Sequence, residues 1–369
     1  MAFFGQNPHV AVVVSQTEAF LDQADELLTE SSGGRIFGRL VDRFGRVHDY
    51  LRISVTDRCN LRCVYCMPPE GVEFAPDERL LSDDEIVRVV EVAARLGVCK
   101  LRITGGEPLA RKGLDRLIAR LAEIPGIEDI ALSTNGLLLA EKAERLKAAG
   151  VTRVNISLDS LRADRFRLIT RGGDVAKVWK AIEASLAVGF DPVKLNVVLM
   201  KGLNDDEIDD FLELTFRLPV AVRFIEYMPI GHEDDGWRSR YVPLSAVTEL
   251  CRARGWAFER TDGVRGNGPS ENYRIRGAIG TFGLIHPVSD HFCAGCNRLR
   301  LTADGRIKPC LYWNDETDVR SRIDDPEALA KLFRDAVAGK PESHEMALAL
   351  AGRERSRPPT VRRMSQIGG

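Results

Sequence analysis

From residue 51 onward, short extended runs alternate with amphipathic stretches. The extended runs are Leu51–Thr56, Cys99–Thr104, Ile127–Ser133, Arg153–Leu158, Val193–Leu199 and Val220–Tyr227. Helical spacing of apolar residues is read over Arg111–Glu123, Ala140–Ala149, Val175–Gly189 and Asp205–Leu218. The first helix opens on the capping box Ser82-Asp83-Asp84-Glu85 and ends near Gly97. Six strand–helix units in succession predict an α/β fold with a parallel sheet. A closed TIM barrel needs eight, so the expectation is a partial (β/α)6 TIM-like barrel, open on one side.

Parity along the strands adds a second feature. Leu51, Ile53 and Val55 share one face, with Arg52, Ser54 and Thr56 on the other. The same split sets Lys100, Arg102 and Thr104 apart, then Asn155, Ser157 and Asp159, then Lys194 and Asn196. Parallel strands covered by helices on both faces read as continuous apolar runs. One polar face retained strand after strand predicts a barrel whose lumen is a polar binding site. In the sixth strand Arg223 and Met228 differ in parity, so a bulge or a strand end is required if both face inward.

After about Gly231 the pattern changes. Glu233–Gly236 and Gly263–Ser270 are loop-like, and short strands are read at Asn272–Arg276, Ala278–Ile285, Leu299–Thr302 and Arg306–Lys308. Asp304-Gly305 marks a hairpin turn. Pro326–Ala338 is a helix, and the tail from Arg353 to Gly369 is basic and irregular. The division is an N-terminal extension at 1–36, a barrel at 37–260 and a smaller C-terminal domain at 261–369. The extension lacks Lys and Arg before Arg35, is acidic, holds at most a short helix at Glu18–Thr29, and ends in Ser31-Ser32-Gly33-Gly34, a linker composition.

Composition narrows the classes. The 369 residues are 44% hydrophobic and 29% charged, ordinary for a globular chain. Lys and Arg total 52 against 54 Asp and Glu, so bulk attraction to nucleic acid or to a membrane surface is not expected. No apolar run approaches the ~20 residues of a membrane helix. The expectation is a cytoplasmic protein, in which a polyanion is met by a local cluster of basic residues.

Eight cysteines carry most of the chemistry. Cys99 and Cys251 sit in apolar patterns and read as small packing residues. Cys59, Cys63 and Cys66 form C-x3-C-x2-C directly after the first strand; Cys293, Cys296 and Cys310 form C-x2-C-x13-C. Three crowded thiolates suit a soft metal centre. A structural zinc wants four ligands, which here needs a remote fourth, His286 or His291 for the second set. A cubane held by three cysteines keeps one iron open.

The C-x3-C-x2-C motif with Tyr65 before its third cysteine, followed after the second strand by Gly105-Gly106-Glu107-Pro108, resembles the radical S-adenosylmethionine (SAM) superfamily. The second cysteine set, with Asn297-Arg298-Leu299-Arg300, Leu51 to Asn60, Arg223 to Pro229 and the final Gly-Gly, is similar to the GTP 3′,8-cyclase family of molybdenum cofactor biosynthesis. That likeness runs from about Phe37 to Gly369. It implies two [4Fe-4S] clusters, on Cys59, Cys63 and Cys66 and on Cys293, Cys296 and Cys310. SAM would be met by Tyr65, Gly105, Glu107, Thr134, Ser157, Lys194 and Met228. GTP would be met by Arg52, Lys100, Arg102, Arg223, Arg298 and Arg300, the guanidinium fork suiting phosphate oxygens. Catalytic roles would fall to Arg52, Gly368 and Gly369. On sequence alone a Gly-Gly end reads as a frayed tail; the resemblance instead sends it into the active site.

The chemistry implied is cleavage of SAM to a 5′-deoxyadenosyl radical, abstraction of H3′ from GTP, and C3′–C8 closure to (8S)-3′,8-cyclo-7,8-dihydroguanosine 5′-triphosphate. It also implies an external electron donor and a downstream cyclic pyranopterin monophosphate synthase, and is compatible with a homodimer. Two other readings stand beside it. One is a radical SAM peptide-modifying maturase with an auxiliary cluster, whose auxiliary domain usually carries seven cysteines. The other is a non-enzymatic iron–sulfur or zinc protein, which would have no need of polar barrel faces.

Overall fold

The computed structural model of the chain describes residues 38–231, 235–266 and 268–368. The expected extension at 1–36, Asn267 and Gly369 lie outside the described residues. Strands β1 (Tyr50–Ser54), β2 (Lys100–Thr104), β3 (Asp129–Thr134), β4 (Val151–Ser157), β5 (Val193–Leu199) and β6 (Val220–Glu226) follow one another in parallel. Helices α1 (Asp83–Arg95), α2 (Leu114–Ala122), α3 (Ala143–Ala148), α4 (Ala163–Thr170), α5 (Val175–Ala187) and α6 (Ile208–Arg217) connect them. This is the α/β partial barrel that the strand–helix alternation predicts.

The C-terminal part extends it on both sides. Beyond α7 (Asp235–Ser239) and α8 (Ser245–Ala253) come β7 (Phe258–Arg260), β8 (Glu271–Ile275) and β9 (Thr281–Ile285). Then follow β10 (Arg298–Leu301), β11 (Arg306–Lys308) and β12 (Thr317–Asp318). Next are α9 (Pro326–Ala338), α10 (Met346–Leu350) and α11 (Met364–Ile367). The sheet order is β12-β11-β10-β1-β2-β3-β4-β5-β6-β9-β8-β7. β9 joins β6 and β10 joins β1, both in parallel, so the two ends of the six-strand arc are each lengthened by a strand from the second half of the chain. Local pattern could not show this, because the paired strands are far apart in sequence.

The register explains the two faces. Leu299, Leu51, Leu101 and Ile130 lie in one cross-strand row, and Leu301, Ile53, Ile103, Leu132, Val154 and Val193 in the next. These side chains are almost fully buried and pack with Val89, Val90, Leu117, Ile118, Val178, Phe211 and Leu212 of the helices. Burying each such side chain contributes about 1.5–3 kcal/mol. The opposite face carries the polar row. A register shift between Ile130 and Ala131 brings Arg153 opposite Ala131.

Local signals behave as their chemistry requires. Ser82 Oγ accepts from Glu85 N, and Glu85 Oε2 accepts from Ser82 N at 2.7 Å, completing the capping box of α1. Gly305 takes φ +84° in the turn between β10 and β11. β6 ends at Glu226, so Met228 lies past the strand and the parity conflict with Arg223 disappears. Cys251 is buried in α8, whereas Cys99 is half-buried one residue before β2.

Two expectations are corrected. Helix α4 adds an element that the sequence pattern does not announce; its short run leaves Leu168 61% exposed, which blurs the apolar stripe. The tail is not irregular throughout, because α11 forms with Ile367 buried against Ile230, Val288, Tyr312 and Trp313. Among the described residues no helix is long and apolar enough to cross a membrane.

Candidate active site

The first thiol set lies in the loop after β1. Cys66 N and Met67 N both donate to Cys63 O, closing a tight turn. Arg62 N and Val64 N donate to Thr170 O and Ile169 O at the end of α4, and Arg171 Nη1 donates to Arg62 O and Met67 O. Burial pushes the Cys59 and Cys63 thiols up and holds Cys66 at about 12, with the neighbouring sulfurs adding to the rise at Cys63 and Cys66. Buried thiols in mutual electrostatic range hold their protons unless a cation replaces them, which a soft metal centre would do. Among the described residues no three His, Cys, Asp or Glu side chains gather round a single-ion position. The fit to a metal centre therefore rests on the donor set and its spacing.

The loop after β2 is locked to the cysteine loop. Gly106 N donates to Thr56 O and Glu107 N to Arg58 O. A Cβ on Gly105, whose φ is +150°, would collide with the Thr56 carbonyl, and one on Gly106 with that of Arg58. Only glycine admits this approach. The Glu107 carboxylate is fully buried and accepts from Thr134 Oγ1 at 2.7 Å, Asn135 N at 2.8 Å and Leu109 N at 3.0 Å. Burial raises its pKa. Glu107 and Thr134 thus tie the ends of β2 and β3 together. Tyr65 donates its hydroxyl to Asp159 at 2.7 Å, and burial pushes Asp159 up to about 6. Ser157 closes β4 and Met228 follows β6; both are half-buried.

The polar row is a cation row. Arg300, Arg52 and Arg102 stand opposite one another across β10, β1 and β2. Like charges so placed are mutually destabilising. Arg153, Lys194 and Arg223 continue the set on β4, β5 and β6, almost fully buried. Burial and the adjacent guanidiniums push Lys194 down to about 5, Arg223 to about 9 and Arg300 to about 10. Arg52 is held well below its ordinary value by burial, Arg300 and Arg102. Partial compensation comes from Asp129, bonded to Arg153, from Tyr50, which accepts from Arg102 Nε, and from Arg265 O, which accepts from Lys194 Nζ. Arg153 Nε and Nη2 and Arg223 Nε have no partner among the described residues. Stripping one charge of its partner in a buried site costs about 3–5 kcal/mol. A cluster of this kind has the charge to hold a polyanion. Lys100 differs: its Nζ donates to Asp49 at 2.6 Å, and although burial opposes it, that carboxylate raises its pKa.

The second thiol set flanks this row through β10. Cys296 accepts from the backbone and side chain of Arg298 and lies 3.4 Å from Lys340 Nζ. Burial raises the thiol, but Arg298 and Lys340 outweigh it and bring Cys296 to about 6, while burial holds Cys293 at about 11. His286, one candidate for a fourth zinc ligand, is engaged with Glu226 instead. Glu226 also accepts from Tyr241 Oη, Val288 N and Ser289, anchoring the segment that leads to Cys293.

The tail runs between the two sets. Ser365 N–H bonds the Cys66 sulfur, and Arg300 donates to Ile367 O at 3.3 Å and to Gly368 O. Gly368, at φ +70°, packs so tightly on Thr104 that a Cβ would collide with its methyl group.

The structure thus brings Arg52, Arg102, Lys194, Arg223, Arg298 and Arg300 into one electrostatic neighbourhood. Lys194, expected on the SAM side, borders the guanidiniums of Arg102, Arg153 and Arg223. Arg153 is an addition to the sequence-predicted set, although it shares parity with Asn155 and Ser157. Asp129 and Lys340 carry no sequence signal of a role, and Glu226, although it lies within the Arg223 to Pro229 stretch, is assigned none by it.

Comparison with known proteins adds to this geometry. The family model for the radical SAM superfamily matches residues 53–215, and that for Molybdenum Cofactor Synthesis C matches 220–346. The chain is 59% identical over 330 residues to a GTP 3′,8-cyclase of Listeria monocytogenes, covering 89% of this chain and 99% of that one. It is 52% identical over 331 residues to a GTP 3′,8-cyclase of Lactiplantibacillus plantarum, covering 90% and 99%. The crystal structure of Streptococcus suis SuiB bound to S-adenosylmethionine superposes with a TM-score of 0.58 at 16% identity, covering 92% of this chain and 74% of that one. This last likeness concerns the fold.

Proposed function

Because this chain belongs to the GTP 3′,8-cyclase family, enzymes of the radical SAM superfamily acting in molybdenum cofactor synthesis, we propose that it converts GTP to (8S)-3′,8-cyclo-7,8-dihydroguanosine 5′-triphosphate. The superfamily implies a [4Fe-4S] cluster and SAM, and Cys59, Cys63 and Cys66 would hold that cluster. When bound, cluster and SAM supply a hydrogen-abstracting radical. Cys293, Cys296 and Cys310 would hold a second [4Fe-4S] cluster. The observation that carries the reading is the buried row Arg300, Arg52 and Arg102, extended by Lys194 and Arg223, with Arg300 in electrostatic range of Cys296 and Cys310.

In this reading the chain's own residues bind, orient and shield. Arg52, Arg102, Lys194, Arg223 and Arg300 neutralise the triphosphate, with Arg298 beside the second thiol set and Lys100 at the rim. Lys194 therefore serves the substrate in place of the SAM role expected for it. Mutual repulsion among the guanidiniums is relieved when the anion enters, and Lys194 regains its charge beside it, so binding energy serves orientation. Gly105, Glu107, Thr134, Ser157, Met228 and Tyr65 shape the SAM side. Arg300 donates to the Gly368 carbonyl and so would hold the tail beside the same space. Cytoplasmic location, an external electron donor and a downstream pyranopterin synthase complete the proposal.

The test is anaerobic reconstitution with iron and sulfide, then incubation with GTP, SAM and dithionite. A GTP isomer resolved by liquid chromatography and mass spectrometry, formed together with 5′-deoxyadenosine, supports it. Sustained SAM cleavage with GTP recovered unchanged would overturn it.

A further inference from the structure

A chain of buried polar groups leads away from the second thiol set. Lys340, just past the end of α9 and 3% exposed, donates to Arg298 O at 2.7 Å, lies 3.4 Å from Cys296 Sγ, and lies 3.5 Å from His48 Nδ1. His48, 1% exposed, reaches Asp42 Oδ2 at 3.0 Å through Nε2. With Nδ1 accepting from the ammonium, the proton sits on Nε2 and is donated to Asp42; the tautomer follows from these partners. Asp42 is fixed in turn by Arg46 Nε at 2.6 Å and by the backbone N–H groups of Phe44 and Arg46.

This hairpin does more than hold His48. Arg46 Nη1 donates to Cys293 O at 2.8 Å and Glu342 O at 2.7 Å, and Nη2 to Pro341 O at 2.8 Å. Residues before the first barrel strand therefore brace a cysteine 247 positions later and the Lys340 segment 295 positions later in the chain. Lys340 directs its hydrogens to a carbonyl, an imidazole and a sulfur. The Asp42 carboxylate is one residue removed, behind His48. The anionic group in direct reach of the ammonium is therefore the Cys296 thiolate.

We propose that Lys340 is a positioning residue for the C-terminal iron–sulfur cluster: its buried ammonium, oriented by His48 and Asp42, bonds the Cys296 sulfur and raises the reduction potential of that cluster. The inference rests on the reading that Cys293, Cys296 and Cys310 carry a cluster. Reduction adds one negative charge to the centre, and a cation at hydrogen-bond range in a medium of low dielectric favours the reduced form. Hydrogen bonds to ligand sulfurs act in the same direction. The first set has no lysine on its sulfurs among the described residues; Arg62 and Arg363 lie in electrostatic range of Cys59 and Cys66, but so do Glu107 and Asp159.

The experiment is a potentiometric titration of the reconstituted full-length enzyme, followed by electron paramagnetic resonance. The C-terminal wave is identified as the one that persists when Cys59, Cys63 and Cys66 are all replaced by Ala. In Lys340→Met this wave is expected to move to more negative potential by at least tenfold in its equilibrium constant, about 59 mV for one electron. The N-terminal wave and the iron content should stay as in wild type, and Lys340→Arg should keep most of the wild-type potential. An unmoved wave in Lys340→Met at full iron content overturns the proposal. So does equal loss of iron in the Met and Arg variants, which would assign Lys340 to packing. A wild-type enzyme with a single wave and half the iron overturns the second-cluster reading itself, and is told apart by needing no Lys340 variant.

Discussion

Replacing Gly368 with Ala perturbs the tail at one atom. Two costs follow from the structure. Gly368 takes φ +70°, and an L-residue held there loses about 1–2 kcal/mol. The new Cβ would also collide with the Thr104 methyl group, whose strand is pinned between β1 and β3, and overpacking of this kind costs about 1–3 kcal/mol. Together these amount to about 2–5 kcal/mol, or roughly 30- to 4,000-fold in the ratio of docked to released tail. The anchors opposing release are Ile367, whose burial contributes about 1.5–3 kcal/mol, and the Arg300 bonds to Ile367 O and Gly368 O, so the released state becomes populated towards the upper end of that cost. Gly352 is the control: it has the same φ of +70°, but a Cβ added there would meet nothing within 4 Å. Gly368→Ala should retain iron, SAM binding and 5′-deoxyadenosine formation while the cyclised product falls at least tenfold. Gly352→Ala should keep its product yield. The assay quantifies both products from one anaerobic reaction by mass spectrometry. Normal product yield in Gly368→Ala would refute the reasoning and return the tail to a passive end; Gly368→Ala/Gly369→Ala extends the same test to the last residue.

Further outcomes are expected at the cysteines, at Lys194 and at the N-terminal extension. Ala at any of Cys59, Cys63 or Cys66 should abolish 5′-deoxyadenosine formation, whereas Ala at Cys293, Cys296 or Cys310 should lower iron towards half with SAM cleavage persisting in part; both are read by iron analysis and chromatography. Lys194, pushed down to about 5 in the lumen, is neutral at pH 7 there but protonated in the unfolded chain, so it makes stability rise with pH between about 5 and its ordinary value of 10.5. A triphosphate beside it restores the charge, so GTP binding at pH 7 should take up a proton that Lys194→Met does not; calorimetry in buffers of different ionisation enthalpy measures the difference, and equal uptake in both proteins would refute it. Removal of residues 1–34, which precede both family matches, should leave product formation unchanged in the same mass-spectrometric assay.

Much of the architecture was legible because local rules specify it. The capping box at Ser82 starts α1, and the period-2 split within β1, β2, β4 and β5 separates the helix-covered face from the cation face. Cysteine spacing after β1 and the two glycines after β2 carry their own chemistry, since a Cβ on either glycine would strike the backbone of the cysteine loop. Arg153 escapes a sequence reading for a physical reason. Its parity agrees with Asn155, but only the register shift against β3 sets it in the row with Arg102.

What the sequence by itself determined is therefore the set of elements and the donor chemistry: strand–helix alternation, two thiol triplets, and cations on one face of each strand. Tertiary structure alone decided which of these meet. Pairing of β10 with β1 places Arg300 beside Arg52; packing of Ile367 sends the tail between Cys66 and Arg300; and the Asp42–Arg46–His48 hairpin closes onto Lys340. Each contact joins residues far apart along the chain. Hydrogen bonding and burial select them only once the whole chain has folded, so no window of sequence contains them.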